Sequence, residues 1–158
     1  MKHFTLAAFS TERRTAAVIL FRGSQVEATR IRHLPLDAAK AVGSARQFVI
    51  QTLERHSPEF IAISRPSKKA GARIRSFCET VRAIAGELDI PAMEVDDATL
   101  LHAYGHPPLT RKEHVRRVAL AIWPGLKDVS VKSAAVDAAT VGLYVQTERL
   151  FSLCGEAA

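Results

Sequence analysis

Three consecutive β-strands are predicted from residues 3–34, HFTLAAFSTERRTAAVILFRGSQVEATRIRHL. Residues 3–10 form an apolar run short enough for a buried strand, and residues 15–23 and 24–34 are rich in strand-forming side chains. A glycine and a serine between the second and third runs predict a tight hairpin turn. Charged side chains are interspersed with apolar ones in the third run, which favours a strand at a sheet edge with one face in water. The chain is therefore predicted to open with a three-stranded meander.

Downstream of the meander, helices alternate with two short strands. Apolar side chains at helical spacing predict a helix over 36–56, which Asp37 caps, and another over 67–89. Apolar runs over 59–64 and 90–95 are too short for helices and are predicted as buried strands. This order predicts a mixed five-stranded sheet flanked by helices, with three meandering strands followed by two that are reached through helices.

Three further helices are predicted after the last strand. A brief helix over 96–105 precedes a proline pair, and a helix over 111–123 follows, with Thr110 as its cap and Glu113 at the spacing of a capping box. The final helix is predicted from about residue 133 to residue 151. The fold class is therefore α/β, although periodicity alone leaves the exact arrangement open.

The composition is that of one globular domain. The chain has 158 residues, of which 47% are apolar and 24% charged, enough to bury a core without a disulfide or a structural metal. We expect a single domain over 1–151 and a short C-terminal tail over 152–158. Cys78 and Cys154 form neither a CxxC pair nor a disulfide framework, which predicts free thiols in a reducing environment. No apolar run approaches the roughly 18 residues that cross a bilayer, and no signal-peptide pattern is present, so we expect a cytoplasmic protein without membrane contact.

Three motifs between residues 58 and 144 resemble segments of one protein family. PEFIAIS (58–64) is similar to its fourth strand, RKEHV (111–115) to its lysine–acid–x–valine helix, and VDAATVGLY (136–144) to its final helix. The family is that of the RuvC-type Holliday-junction resolvases, and the resemblance covers most of the chain. It implies a ribonuclease H-like fold, whose strand order agrees with the order predicted above.

The resemblance also implies where metal ligands would lie. Members of that family cut DNA with two divalent metals held by four acidic positions, which correspond here to Phe9, Ser64, Asp137 and Thr140. One carboxylate among four positions does not hold two Mg²⁺ ions, because a hard cation of this kind requires several carboxylate oxygens. The resemblance therefore implies a protein that has lost metal-dependent cleavage and needs no cofactor.

Relocated acids are an alternative. Asp96 and Asp97 follow the fifth predicted strand, and either of them, together with Asp137 and Ser64, would form one weak Mg²⁺ site. The simpler interpretation is that Asp96 and Asp97 serve as a helix cap and a first-turn anion, and that Asp137 interacts with the dipole of its own helix. Both interpretations are open at the level of the sequence.

Basic side chains gather in two segments. The chain carries 22 lysines and arginines against 16 acids, a formal charge of +6 that favours attraction to polyanions. One group follows the fourth predicted strand and the other opens the helix at 111–123; the candidate nucleic-acid-binding residues are Arg65, Lys68, Lys69, Arg73, Arg75, Arg111, Lys112, Arg116 and Arg117. Cations at a helix N-terminus oppose the helix dipole, so helix stability does not explain them. Phosphate binding does, and in the resembled family both segments border the DNA-binding cleft. The alternative is an ordinary solvated surface, with Glu79, Glu87 and Glu113 nearby.

These observations favour a nucleic-acid-binding protein without a working metal site. We expect it to bind branched or double-stranded nucleic acid, DNA rather than RNA, through the phosphate backbone. Two alternatives are open: a magnesium-dependent junction endonuclease that uses the relocated acids, and a structural or protein-interaction module whose basic face meets an acidic partner. The resembled family works as a homodimer, which makes the same assembly an option here.

Overall fold

The computed structural model of the protein describes residues 4–23, 25–65, 69–105, 107–124 and 134–156, with side chains as far as residue 148. The strands are β1 (Thr5–Glu12), β2 (Thr15–Arg22), β3 (Gln25–His33), β4 (Phe60–Ser64) and β5 (Ala92–Val95). The helices are α1 (Ala38–His56), α2 (Ala72–Glu87), α3 (Asp97–Ala103), α4 (Lys112–Ile122) and α5 (Ala134–Glu156). None of the helices within the described ranges is both long and apolar enough to span a membrane.

The five strands form one sheet in the order β3-β2-β1-β4-β5. β1 pairs with β2, and β2 with β3, in antiparallel fashion, whereas β4 runs parallel to both β1 and β5. β4 and β5 are each reached through a helix, because parallel strands need a crossover connection. The predicted mixed five-stranded sheet is therefore confirmed, and its meandering half is the N-terminal stretch.

Helices cover both faces of the sheet, because its central strand β1 is apolar on both sides. Side chains alternate along a strand, so Ala7 and Phe9 point toward α1 and α2, whereas Leu6 and Ala8 point toward α5. The α1–α2 face forms one hydrophobic core, and the α5 face, with contributions from α3 and α4, forms the other. The face on which a side chain lies therefore decides which site it can join.

Helix α5 lies close against the sheet because its inward side chains are small. A Cβ at Gly142 would overlap the ring of Phe21. We expect Gly142→Ala to lower the free energy of unfolding by about 1–3 kcal/mol, because the added methyl group has no space. Chemical denaturation measures the change, and Gly43→Ala is the control: a Cβ there meets nothing within 4 Å, so that variant should gain up to about 1 kcal/mol. Equal effects of the two variants would contradict this packing.

The helix caps agree with the sequence prediction at α1 and differ at α4. Asp37 caps α1 as predicted, and its side chain accepts a 2.9 Å hydrogen bond from the backbone N–H of Lys40. The prediction that Thr110 caps α4 is wrong, because Arg111 is the N-cap residue and makes no side-chain capping bond. Glu113 is consequently one position too early for a capping box. The start of α4 is therefore held by tertiary contacts rather than by its own cap.

Two helices differ in length from those predicted. α2 begins at Ala72 rather than at residue 67, which itself lies outside the described ranges. α5 continues to Glu156, past the predicted boundary at 151 and into the segment expected to be a tail. Hydrophobic periodicity predicts that a helix exists more reliably than where it ends, since ends depend on caps and on tertiary contacts.

The edge strand β3 turns two of its arginines inward. The guanidinium carbons of Arg30 and Arg32 lie 5.6 and 5.5 Å from the centre of the Phe48 ring in α1. A register shift in the pairing of β2 with β3 allows this, because Val26 packs on the α5 side and Ala28 on the α1 side. The solvent-exposed face of β3 is therefore not the face that carries Arg30 and Arg32.

Candidate functional site

The carboxylate of Asp137 is buried in the first turn of α5, where 2% of the residue is exposed. Its neighbours in sequence are alanine and valine, so the partner that a buried charge requires must come from another element. Arg116 of α4 is that partner: its Nε lies 2.7 Å from Oδ1, and its Nη2 lies 2.9 Å from Oδ2. This bidentate, charge-assisted pair engages both carboxylate oxygens.

Three more charged side chains surround this pair. The Nζ of Lys112, one helical turn before Arg116, lies 3.4 Å from Oδ2 of Asp137 and 3.5 Å from Oδ1 of Asp97. The Oε1 of Glu12, at the end of β1, lies 3.8 Å from Nη2 of Arg116. We call these residues the Asp137 cluster. Its three carboxylates and two cations come from β1, α3, α4 and α5, so only the folded chain assembles it.

The charge state of the Asp137 cluster is set by its hydrogen bonds. The hydrogen bond to Asp137 raises the pKa of Arg116, against burial, which lowers it. The Arg116 guanidinium is therefore charged throughout the pH range in which the protein is folded. Lys112, Asp97 and Glu12 are each partly exposed, whereas Arg116 and Asp137 are buried. Removal of either partner of that pair would leave a buried charge uncompensated.

The carboxylates of the Asp137 cluster are paired with cations. Within the described ranges, no three His, Cys, Asp or Glu side chains are placed to hold a metal ion together. Asp97 and Asp137 do approach one another, but Lys112 bridges them. Asp96 instead caps α3, accepting bonds of 2.7 and 2.8 Å from the hydroxyl and the backbone N–H of Thr99, and these bonds lower its pKa. The capping role predicted for Asp96 is confirmed.

The β1 position implied by the resemblance lies on the wrong face of the sheet. Phe9 packs on the α1–α2 side, with its ring centre 6.5 Å from that of Phe77, so its assignment to the pocket of Asp137 is wrong. Ser10 is the neighbouring residue that shares the α5 face: it pairs with Ala17, and 3% of it is exposed. A shift of one residue along a strand moves a side chain to the opposite face, which is why a sequence comparison can miss it.

Ser64 and Thr140 lie on the same side of the sheet as Asp137. Ser64 follows Ala62 of the α5-side core by two residues along β4, and so shares its face. Thr140 is buried, its hydroxyl donates a 2.7 Å hydrogen bond to the carbonyl oxygen of Asp137, and its own carbonyl accepts a bond from the Tyr104 hydroxyl. These side chains offer neutral oxygens, so Asp137 supplies the one carboxylate among the matched positions.

The basic residues at the start of α4 divide into two pairs. Lys112 and Arg116 share a helix face as predicted, but that face is turned toward Asp137. Arg116 is 7% exposed and paired with Asp137, so its guanidinium is not at the surface, and its binding to nucleic acid stays a prediction. Arg111 and Arg117 are exposed at the surface. The phosphate-binding capacity of this segment rests on the exposed pair, with Lys112 at its border.

The basic group between β4 and α2 does not form one face. Arg65 is exposed and lies 4.0 Å from Glu94 of β5, which also pairs with Arg82 of α2. Arg73 turns elsewhere and donates a 3.0 Å hydrogen bond to the carbonyl oxygen of Pro35. The other members are Lys69 and Arg75, which are exposed, and Lys68, which lies outside the described residues. Arg65, Lys69 and Arg75 are therefore the exposed members of this group among the described residues.

Cys78 is a buried thiol beside Glu94. Its Sγ lies 3.6 Å from Oε1 of Glu94, and burial, together with that carboxylate, raises its pKa to about 12.

In a Cys154→Ser variant, Cys78 is the single thiol. We expect iodoacetamide to label it slowly in the folded protein below that pH and quickly after denaturation, because the thiolate is the reactive form. Fast labelling of the folded variant near pH 8.5, where an ordinary thiol ionises, would contradict this environment.

Comparison with known proteins reveals similarity at the level of structure. No family model matches the chain, and no curated protein matches it. T. thermophilus RuvC in complex with a Holliday junction substrate matches with a TM-score of 0.75 at 16% identity, covering 94% of this chain and 96% of that one. The fowlpox virus resolvase with substrate Holliday junction DNA has a TM-score of 0.62 at 9% identity, with 93% and 99% covered. The yeast mitochondrial Holliday junction resolvase has a TM-score of 0.61 at 9% identity, with 98% and 86% covered. The RuvC-like, ribonuclease H-like fold implied by the resemblance is therefore confirmed.

Proposed function

We propose that the protein is a RuvC-like nucleic-acid-binding protein that holds branched or double-stranded DNA without cutting it. The fold supports the first part, since solved structures of the same architecture were obtained with Holliday junction DNA. The formal charge of +6 supports it as well, because it attracts a polyanion over long range. The second part rests on the Asp137 cluster.

The observation that carries the loss of cleavage is the occupation of both Asp137 oxygens by Arg116. A two-metal nuclease site holds two divalent cations about 4 Å apart and needs several carboxylates to offset their charge. Here a guanidinium and the ammonium of Lys112 already provide the positive charge beside Asp137, and both repel an incoming dication. This arrangement supports a cluster in which the cationic side chains take the place of the metal ions.

We assign phosphate binding to exposed cations of the two basic segments. Arg111 and Arg117 present two charges on α4, and Arg65 and Lys69 present two more between β4 and α2. Cations of this kind contact the phosphate backbone, which fixes orientation but does not read sequence. Affinity that depends on such contacts falls steeply with salt, because each contact releases counterions from the DNA.

The protein should bind a synthetic four-way junction equally well in Mg²⁺ and in EDTA, and it should leave every strand intact. Gel-shift assays with junction, duplex and single-strand probes at matched ionic strength measure the binding, and denaturing gels of the same samples measure the cleavage. Mg²⁺-dependent cleavage that Asp137→Asn abolishes would instead establish a nuclease with relocated ligands. Failure to bind any probe at about 100 mM salt would favour a protein-interaction module.

A further inference from the structure

An apolar cavity of about 270 Å³ lies between the β1–β2 turn, α1 and α2. It is on the α1–α2 side of the sheet, away from the Asp137 cluster. Leu34, Ala41 and Val42 contribute to its apolar wall, and Arg13 and Arg73 line it as well. No acidic residue is found among the described residues that line it. The cavity thus combines an apolar interior with a wholly positive border.

A shallower groove continues the cavity along the surface. It shares Arg13 and Arg73 with the cavity and adds Arg14, Leu36 and Ile74. Leu36 is 71% exposed, which is unusual for a leucine beside an apolar cavity. The groove therefore extends the apolar strip and adds a third arginine beside it.

The position of Arg13 indicates that this border serves a purpose other than stability. β1 and β2 are joined by a two-residue turn, since Glu12 pairs with Thr15, and Arg13 has a φ of 55° there. Glycine, asparagine or aspartate takes such a conformation at lower cost than a long side chain does. Backbone strain that persists at one residue is a pointer to function. Arg73 is oriented in the same region by its bond to the carbonyl oxygen of Pro35.

We propose that the cavity and groove bind an acidic segment of a partner protein. An apolar side chain of the segment fills the cavity, and its carboxylates pair with Arg13, Arg14 and Arg73. Guanidinium groups recognise carboxylates through bidentate, charge-assisted bonds, and the complementarity of charge sets the partner's sign. This inference goes beyond DNA binding and does not depend on it, because the residues involved are separate from the four cations assigned to phosphate.

A nucleobase suits the cavity less well than an apolar side chain does. A base must satisfy several hydrogen-bonding groups when it is buried, and Ser76 is the one neutral polar side chain among the described lining residues. Stacking would require an open ring, but Phe77, the aromatic lining residue, is 3% exposed. The chemistry of the walls therefore favours a leucine, isoleucine or phenylalanine from a peptide.

The test is a selection of phage-displayed random peptides on the full-length protein. We expect the selected peptides to combine acidic residues with leucine, isoleucine or phenylalanine. Their affinity should fall about tenfold or more in Arg13→Gly and in Ala38→Phe, and it should be unchanged in the control Arg55→Gln, at the far end of α1. Arg13→Gly removes the guanidinium and suits the positive φ, so it should fold at least as well as the parent. Ala38→Phe fills the cavity from an exposed helix position.

Three results would overturn the proposal. The first is selection of peptides without acidic residues, or peptide binding that neither variant weakens. The second is loss of four-way-junction binding in Arg13→Gly as large as its loss of peptide binding, which would assign the cavity to nucleic acid. The third is a dimer of the parent that Ala38→Phe dissociates in sedimentation, which would assign the groove to a second copy of the chain. A failure of the proposed DNA binding is distinguished from these results, because the gel-shift assays measure it with the parent protein.

Discussion

We expect the replacement of Arg116 with methionine to lower the free energy of unfolding by about 3 kcal/mol, near the lower end of the losses seen when one partner of a buried ion pair is removed. Methionine fills much of the volume of the arginine stem but leaves the buried Asp137 carboxylate without its two hydrogen bonds. Lys112 is 3.4 Å from the same carboxylate and offsets part of the loss. Urea denaturation at neutral pH measures the change.

Two further variants separate this cause from a loss of packing. The double variant Arg116→Met/Asp137→Leu should recover most of the lost stability, because an apolar pair often replaces a buried ion pair at little cost. Arg117→Met, at the exposed neighbouring position, should change the free energy of unfolding by no more than about 0.5 kcal/mol. A loss below about 1 kcal/mol for Arg116→Met would mean that Asp137 does not depend on the arginine.

Neutralising the four exposed cations should weaken junction binding by roughly tenfold or more and flatten its salt dependence. The variant replaces Arg65, Lys69, Arg111 and Arg117 with glutamine, which keeps polar side chains at exposed positions and spares the Asp137 cluster. The slope of log affinity against log salt should fall by about 0.9 for each phosphate on the duplex arms that the variant no longer neutralises. Titrations of a labelled four-way junction at several salt concentrations measure both quantities.

The matched control neutralises four cations elsewhere, Arg22, Lys40, Arg46 and Arg55; Arg46 is half-buried and the other three are exposed. It changes net charge by the same amount, so it should reproduce the small, long-range part of the effect and leave the salt slope close to that of the parent. If the two quadruple variants weaken binding equally, the protein attracts DNA by net charge alone. The proposed phosphate-binding surface would then be an ordinary solvated face.

The strands and helices could be predicted from local sequence patterns, because most of them depend little on residues that are distant in the sequence. The hairpins follow from short β-rich runs separated by turns, and the parallel strands follow from short apolar runs between helices. The start of α4 could not be predicted in this way. Its first turn is held by ion pairs from Lys112 to Asp97 and Asp137, interactions that a local capping rule does not represent.

The candidate site is harder to predict from the sequence than the fold, because it depends on which way each side chain faces. The assignment of Phe9 instead of Ser10 is a shift of one residue, which in a strand reverses the face. Arg116 was grouped with surface cations, although it lies between Val115 and Ala119 on the inward stripe of α4. A signal was present: an aspartate in an alanine-rich helix requires a buried cation, and an arginine on an apolar stripe is the residue that supplies one.

Anomalous scattering from Mn²⁺-soaked crystals tests whether Asp137 binds a metal ion or is held by the Arg116 guanidinium. We expect no manganese peak beside Asp137, and electron density for the Arg116 guanidinium in bidentate contact with its carboxylate, with and without junction DNA. One or two manganese ions bound to Asp137, with Arg116 displaced, would contradict the account, because the carboxylate would then be a metal ligand and not the partner of a fixed cation.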